Sequence, residues 1–403
     1  MSTCHRLRSR PVFDFSGERG EKYAHIPYAH QLIDEDDMEA VIEVLRSDWL
    51  TTGPRVEEFE QAFADFVGAK YAVAVSSGTA ALHAAMYAAG IGSGDEVIVP
   101  PMTFVATANA VVFQGGTPVF SDVEENTLLL NPRIVEEKIT SRTKAIIAVD
   151  YAGQPCDYDV LRTIAEKHGL LLMADACHAL GARYKGRNVG TLADLTVFSF
   201  HPVKHITTGE GGMITTEDSM LAERMRRFRN HGINYDHASR AKQGTWYYEM
   251  IDLGYNYRIT DLQCALGLSQ LKKLPSFLKR RRDIASQYDK ELATWLELSP
   301  LLLREECLHA YHLYVIKVDK ASWINRGELF RGLQEAGIGV NVHYIPVHLH
   351  PFYRQRFGSG EGLCPASEAA YGAILSLPLF PEMNDQEVER VVRELRRLVV
   401  GIA

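Results

Sequence analysis

Cysteine is scarce and dispersed in this chain. The six cysteines among 403 residues are Cys4, Cys156, Cys177, Cys264, Cys307 and Cys364, and no two form a C-x-x-C pair. That argues against a disulfide framework and against a thiolate zinc site. A chain of this length can bury enough apolar surface to need neither. Isolated thiols suit a reducing compartment, so a cytoplasmic location is expected. No run of 18 apolar residues occurs, so no membrane-spanning helix is expected. A long basic block is also missing, and the formal net charge is -8. This speaks against nucleic acid as the main partner. It leaves room for a local cationic pocket that takes a phosphorylated small molecule. There is no G-x-x-x-x-G-K-[ST] loop. The glycine cluster Gly90-Ile91-Gly92-Ser93-Gly94 follows a helix and precedes a strand, the wrong order for a dinucleotide fingerprint, and it reads as a helix-ending turn. Internal repeats and low-complexity tracts are lacking too. Residues 1–24 are basic and have no apolar core, so they read as a loosely ordered extension rather than a secretory leader.

What is present has ordinary globular proportions, 46% hydrophobic and 23% charged. "IDEDDMEAVIEVLRSD" and "RVEEFEQAFADFVG" space their apolar residues as helices do, and Gly68 is a plausible terminator of the second. "KYAVAVSSGTAALHAAMYAAG" passes from a strand through a small polar turn into a helix. "DEVIVPP", "TPVFSD", "KAIIAVD", "LLLMADA" and "LTVFSF" are short apolar runs, mostly separated by helical or turn segments such as "DYDVLRTIAEKHG". This alternation over residues 70–200 predicts an open, largely parallel sheet flanked by helices, an α/β architecture. Ligands of such sheets sit beyond the carboxyl ends of the strands. After about residue 260 the pattern changes. A long helix over 260–292, bent or broken near Pro275, is expected to precede a smaller α+β unit. That unit has strands in "AYHLYVIKV" and "IGVNVHYIP" and helices in "RGELFRGLQEAG" and "NDQEVERVVRELRRLV". The expected division is 1–24, 25–260 and 261–403.

Three places carry candidate chemistry. Ser76-Ser77-Gly78-Thr79 delivers a strand into a helix start, where free N–H groups, the helix dipole and hydroxyls attract an anion. Ordinary capping explains it equally well in isolation. Asp175 ends the buried run "LLLMA"; a carboxylate there needs a partner, which could be a structural arginine or a protonated ring nitrogen of a bound heterocycle. His178 follows three residues on. Ser199 and Lys204 share the loop of "VFSFHPVKHITTGEGGMITT", between a buried strand and a returning one. Most loop lysines are merely solvated. One desolvated by its surroundings can instead attack a carbonyl group. Together the three sites fit a single ligand that has a phosphate, a basic ring nitrogen and an aldehyde. Pyridoxal 5'-phosphate has all three.

The segments "SSGTAALH", "GDEVIVPPMTFVATANAV", "YAGQPCD", "ADACHALGARYKG", "FSFHPVKHITTGEGG" and "LGYNYRITDLQCALGLSQL" resemble the DegT-type nucleotide-sugar aminotransferases, from about Ile26 to the C-terminus. The resemblance implies a pyridoxal-phosphate-dependent transferase of fold type I, like aspartate aminotransferase, acting as a homodimer with two shared active sites. It implies that Lys204 bonds to the cofactor's aldehyde and that Asp175 holds the ring nitrogen. His178 would lie near the phenolic oxygen, and Phe104 would stack on the ring. Ser77, Gly78, Thr79 and Ser199 would bind the phosphate, and Asn256 would reach the phosphate in the neighbouring subunit. Thr51, Thr52 and Gly53, with His343 and Tyr344, would line the sugar-nucleotide site. One departure is Ala174 before Asp175, where the family often has glutamate.

"IPYAHQLIDEDD", "SDWLTTGP", "YHLYVIKV" and "GIGVNVHYIPVHLHPFYR" are similar to the branch of the family that serves the pseudaminic acid pathway. That similarity implies transfer of an amino group from L-glutamate to C4 of a UDP-linked 4-keto-6-deoxy-N-acetylhexosamine. His343, His348 and His350 could suggest a metal, but no carboxylate or cysteine accompanies them at helical spacing. Contact with a diphosphate or uracil, together with Arg354, is the preferred expectation. The rival readings are a related aminotransferase for another UDP- or dTDP-4-keto sugar, a sugar dehydratase, and a non-catalytic cofactor-binding sensor. Related dehydratases commonly replace the lysine with histidine, so Lys204 speaks for transamination.

Overall fold

The computed structural model describes residues 25–401, excepting 235–239, 241–243, 320 and 321. The expected extension 1–24 lies outside the described residues. Twelve α-helices and ten principal strands organise the described residues. In chain order they are α1 Glu35–Leu45, α2 Pro54–Val67, β1 Tyr71–Val75, α3 Gly78–Ala88, β2 Glu96–Val99, α4 Ala106–Phe113, β3 Thr117–Phe120, α5 Pro132–Glu137, β4 Thr143–Val149, α6 Tyr158–His168, β5 Leu171–Asp175, β6 Leu195–Ser199, β7 Gly212–Thr216 and α7 Ser219–Phe228. Then follow α8 Asp261–Leu292, β8 Leu298–Pro300, β9 Tyr314–Val318, α9 Arg326–Glu335, α10 Pro351–Phe357, α11 Pro365–Ala373, β10 Ile374–Leu377 and α12 Asp385–Val400.

The large sheet has the order β1-β7-β6-β5-β4-β2-β3. Every neighbouring pair is parallel except the two made by β7, which runs back between β1 and β6. Side chains alternate across this sheet because successive Cβ atoms point to opposite faces. Ala72, Ala74, Ile146, Ala148, Leu172 and Phe198 join one core. Val73, Val75, Ala145, Ile147, Met173 and Val197 join the other. Both faces are covered, which explains why these strands read as nearly continuous apolar runs. The first core also takes in Leu313, Val315 and Ile374, so β9 and β10 pack onto the same mass. The second sheet is antiparallel, in the order β8-β9-β10, and a third core beneath it is closed by residues of α9 and α12.

Helix ends follow the local chemistry. α1, α8, α9 and α12 open with capping boxes at Asp34/Asp37, Thr260/Gln263, Asn325/Glu328 and Asn384/Glu387. α2 stops at Gly68, whose φ of 82° is the left-handed conformation that favours glycine.

Two expectations need correction here. α8 is not broken at Pro275 but continues through it as one helix. A proline there removes a backbone donor at a cost of about 3 kcal/mol. It sits on the exposed side, while Leu271, Leu274, Phe277 and Leu278 bury the helix on both flanks, and that packing offsets the loss. Residues 338–346 are not a strand; they make only single bridges, Ile26 with Ile338 and Asn341 with Ser376. The carbonyl of His343, which a neighbouring strand would need, instead accepts from the Tyr151 hydroxyl.

α2 and α8 meet at Asp261. Its fully buried carboxylate accepts from the Gly53 N–H at 2.8 Å and the Arg55 N–H at 3.0 Å, capping α2 from another helix. Asp261→Ala leaves both donors without that partner. The expected loss is about 1–3 kcal/mol, read as a lower urea midpoint; an unchanged midpoint would contradict this role.

Candidate active site

A cavity of about 670 Å³ opens at the carboxyl ends of the parallel strands. Ten of the sequence-predicted residues line it: Ser77, Gly78, Thr79, Phe104, Asp175, His178, Ser199, Lys204, His343 and Tyr344. They converge because β1, β5 and β6 all end there. Strand β1 feeds α3, whose N-cap Ser77 accepts from the Ala80 N–H at 3.0 Å. The first-turn N–H groups of any helix lack intrahelical partners. β6 ends in Ser199 beside them: a Cβ added at Gly78 would lie 2.9 Å from the Ser199 Cβ. Gly212, at the start of β7, sits equally close, since an added Cβ would lie 2.4 Å from the Ser77 carbonyl oxygen. A side chain at either glycine would push this hydroxyl-lined helix start apart.

Asp175 is 6% exposed. Its Oδ2 accepts from the Thr107 hydroxyl at 2.6 Å and its Oδ1 from the Cys177 N–H at 3.2 Å. Among the described residues no arginine pairs with it, so the alternative of a structural arginine partner is not met there. Behind it, Asp150 is fully buried against the Tyr158 hydroxyl and the Cys156 N–H, both at 2.9 Å, and burial pushes its carboxyl up to about 7.

Lys204 hangs in the loop joining β6 to β7. Its Nζ lies 3.3 Å from Nε2 of His312. Burial draws its ammonium below the usual range, and Asp175 opposes that shift. His178 shares a 2.9 Å hydrogen bond with the Tyr344 hydroxyl through Nε2, while its buried Nδ1 has no partner. His343 is held through Nδ1 by the Ser376 hydroxyl at 2.8 Å. Phe104 stands at the rim, 57% exposed, with its ring 6.1 Å from that of Tyr344.

Six sequence-predicted residues lie outside this cavity: Thr51, Thr52, Gly53, Asn256, His348 and Arg354. Thr51, Thr52 and Gly53 sit at the start of α2, where Thr51 bridges to Thr260. Asn256 is exposed and bridges to Asn230. Of the histidine-rich segment, His350 lines the cavity but His348 does not. His348 is fully buried against the Glu368 carboxylate at 2.9 Å, which makes it a fold contact rather than a substrate one. Arg354 pairs with Glu361 on the surface, 3.3 Å away, instead of facing the cavity. Among the described residues no cluster of side chains suits a metal ion, and no helix is long and apolar enough to cross a membrane.

Sequence reasoning missed Thr107 and His312. Thr103 and Thr107, four apart around the start of α4, hydrogen-bond to each other at 2.7 Å behind Asp175. That i, i+4 spacing of hydroxyls was the available signal. His312, just ahead of a buried strand, carried none.

The residues present suit pyridoxal 5'-phosphate. A helix start with hydroxyls on both sides suits a phosphate. The carboxylate held by Thr107 and the Cys177 N–H suits a protonated ring nitrogen. The unpartnered Nδ1 of His178 offers a further polar contact, and Lys204 supplies an amine of depressed basicity.

Comparison with known proteins agrees. The model of the DegT/DnrJ/EryC1/StrS aminotransferase family matches residues 31–396. The chain is 45% identical over 379 residues to the spore coat polysaccharide biosynthesis protein SpsC of Bacillus subtilis (strain 168), covering 93% of this chain and 97% of that protein. It is similar to the putative sugar aminotransferase Spr1654 from Streptococcus pneumoniae in its PMP form, with 33% identity and a TM-score of 0.89, covering 94% of this chain and 100% of that one. It is also similar to Helicobacter pylori PseC, an aminotransferase involved in the biosynthesis of pseudoaminic acid, with 34% identity and a TM-score of 0.87, covering 94% and 100%. The fold is therefore the fold type I expected from the sequence.

The histidines around Lys204 make stability depend on pH. His178, His205, His312 and His343 are all buried; burial holds His343 down to about 3 and the other three well below the usual imidazole range. A depressed histidine favours the neutral folded form, so its contribution is full above about pH 6.5 and is lost as pH falls. Asp150, raised to about 7, works the opposite way. His83, held down to about 4, and His309, held down to about 3, add to the histidine side, so stability should fall from pH 7 to pH 5. Urea midpoints at the two pH values check it, and equal midpoints would contradict it.

Proposed function

Since the chain belongs to the DegT/DnrJ/EryC1/StrS aminotransferase family, whose enzymes depend on pyridoxal 5'-phosphate, we propose that it moves an amino group from L-glutamate to C4 of a UDP-linked 4-keto-6-deoxy-N-acetylhexosamine. The product in this reading is UDP-4-amino-4,6-dideoxy-N-acetyl-β-L-altrosamine, a pseudaminic acid precursor. The observation that carries transamination is the convergence of Lys204, Asp175 and the α3 start on one cavity. The substrate assignment rests on the likeness to the Helicobacter pylori enzyme.

When bound, pyridoxal phosphate supplies an aldehyde that takes up the donor's amino group and a ring that delocalises the electron pair left on the donor's α-carbon. The chain's residues do the rest. Ser77, Gly78, Thr79 and Ser199 hold the phosphate. Asp175 keeps a proton on the ring nitrogen, and Thr107 and the Cys177 N–H keep its carboxylate from turning away. Phe104 would stack on the ring and His178 would lie near its phenolic oxygen. The Lys204 amine removes the proton from the donor's α-carbon as general base and delivers it as general acid. His343 and Tyr344 line the sugar side. Residues 25–260 form the cofactor-holding unit and 261–403 the smaller one.

Thr51, Thr52, Gly53 and Asn256 serve the cavity of a second copy in a homodimer with shared sites. The exposure of Thr51, Thr52 and Asn256, outside the chain's own cavity, supports that assignment. A second substrate reading, another nucleotide-linked 4-keto sugar, is favoured by the 45% identity to the spore coat polysaccharide protein. Assay of a panel of UDP- and dTDP-4-keto sugars, with the product identified by NMR, decides between them. The first reading fails if the β-L-arabino-configured UDP-4-keto sugar yields no 4-amino product.

Lys204→Ala should abolish formation of 2-oxoglutarate from glutamate and remove the absorbance of the lysine-bound cofactor. An active variant would end this assignment. Asp175→Asn should slow the same half-reaction by about 10²-fold or more, the range for losing one preorganised electrostatic partner. Wild-type rates would argue against a ring-nitrogen contact.

A further inference from the structure

We propose that His312 is a positioning residue for Lys204, holding its amine through Nε2 and stabilising the ammonium that forms when the amine takes a proton. The inference rests on the reading of Lys204 as the proton-moving base.

Nε2 of His312 is 3.3 Å from the Lys204 Nζ and, among the described residues, is the only hydrogen-bond partner that Nζ has. No carboxylate forms an ion pair with Lys204 in that set. His312 is itself fixed. Its residue is 3% exposed, and its ring lies 4.4 Å from that of His178 and 5.7 Å from that of His205. Its carbonyl accepts from the buried Arg281 guanidinium at 3.4 Å, which also binds the carbonyls of Tyr311 and Leu379. Gly153 packs against the same backbone, where an added Cβ would lie 3.1 Å from the His312 nitrogen. The groups facing the ring are therefore Lys204, His178 and His205, with Arg281 behind.

Burial and the neighbouring Lys204 keep His312 neutral. If Nε2 accepts from Lys204, the ring proton is on Nδ1, and among the described residues Nδ1 has no partner. A buried unpaired donor costs about 1–3 kcal/mol, which an apolar side chain of the same shape would avoid. The work done at Nε2 explains why that cost is borne. A neutral acceptor commits one N–H of the amine and leaves its lone pair for the donor's α-carbon. Once the amine has taken that proton, the same lone pair on Nε2 faces the new ammonium in a site that disfavours charge. His312 neither gains nor loses a proton. Lys204 carries the proton from the α-carbon to the carbon that receives it.

The test compares His312→Phe, which keeps a ring and removes the acceptor, with His312→Gln, which retains one, both in the cofactor-loaded enzyme. Three quantities are read: cofactor retention by absorbance, the rate of 2-oxoglutarate formation from glutamate, and the isotope effect with α-deuterated glutamate. His312→Phe should retain cofactor within about threefold, slow the half-reaction by roughly 10²-fold and raise the isotope effect. His312→Gln should recover about tenfold of that rate. A wild-type rate in His312→Phe overturns the inference, as does a slow rate with an unchanged isotope effect, or no recovery in His312→Gln. If His312→Phe does not fold, His312→Leu takes its place in the comparison. Lys204→Ala separates the two claims: activity in that variant sinks the underlying reading, whereas an inactive Lys204→Ala beside a normal His312→Phe sinks only the role of His312.

Discussion

The site is organised around a carboxylate that has been taken out of water at the end of a strand. Asp175 closes β5 at 6% exposure, with Thr107 and the Cys177 N–H as its hydrogen-bond donors. Neither donor is a cation, so these bonds orient the carboxylate and leave it able to take a cationic partner. Much of the neighbourhood follows from this. Thr103 backs Thr107, and the Asp150 N–H donates to the Asp175 carbonyl at 3.1 Å. The histidines nearby are neutral, so they add no permanent charge that would satisfy the carboxylate in advance.

The large sheet and the main polar features of the site were legible in the sequence because they obey period-two and strand-end logic. Apolar runs ending abruptly in Asp175 and Ser199 are visible without coordinates, and so is a turn that passes Ser77 into a helix. The less legible parts depend on contacts between segments distant in sequence. His312 is one polar residue ahead of a buried strand, and nothing in "AYHLYVIKV" says that it will meet a lysine 108 positions away. His348 looked like a loop residue until Glu368 was placed beside it. Residues 338–346 alternate apolar and polar as a strand does, yet the Tyr151 hydroxyl takes one of their carbonyls. Pro275 signalled a break that burial of Leu274, Phe277 and Leu278 overrode. In each case tertiary packing outweighed local preference.

The two ends of α2 illustrate how separate constraints are joined. Gly68 ends the helix through its own backbone freedom, whereas the start is capped by Asp261, 208 residues from Gly53. That long-range cap fixes the Thr51–Gly53 turn against the start of α8. The surface that carries those residues is therefore set by the packing of α8 and not by the turn's own sequence.

The returning strand β7 has a further consequence. Because it lies between β1 and β6 and meets the start of α3 at Gly212, the loop that carries Lys204 is moored at both ends to the middle of the sheet. The amine swings from a fixed post. Exposed side chains at the cavity's rim, such as His201 and Ile345, can change in evolution while the chemical centre keeps its bearings. One scaffold can in this way diversify its clientele without relearning its reaction.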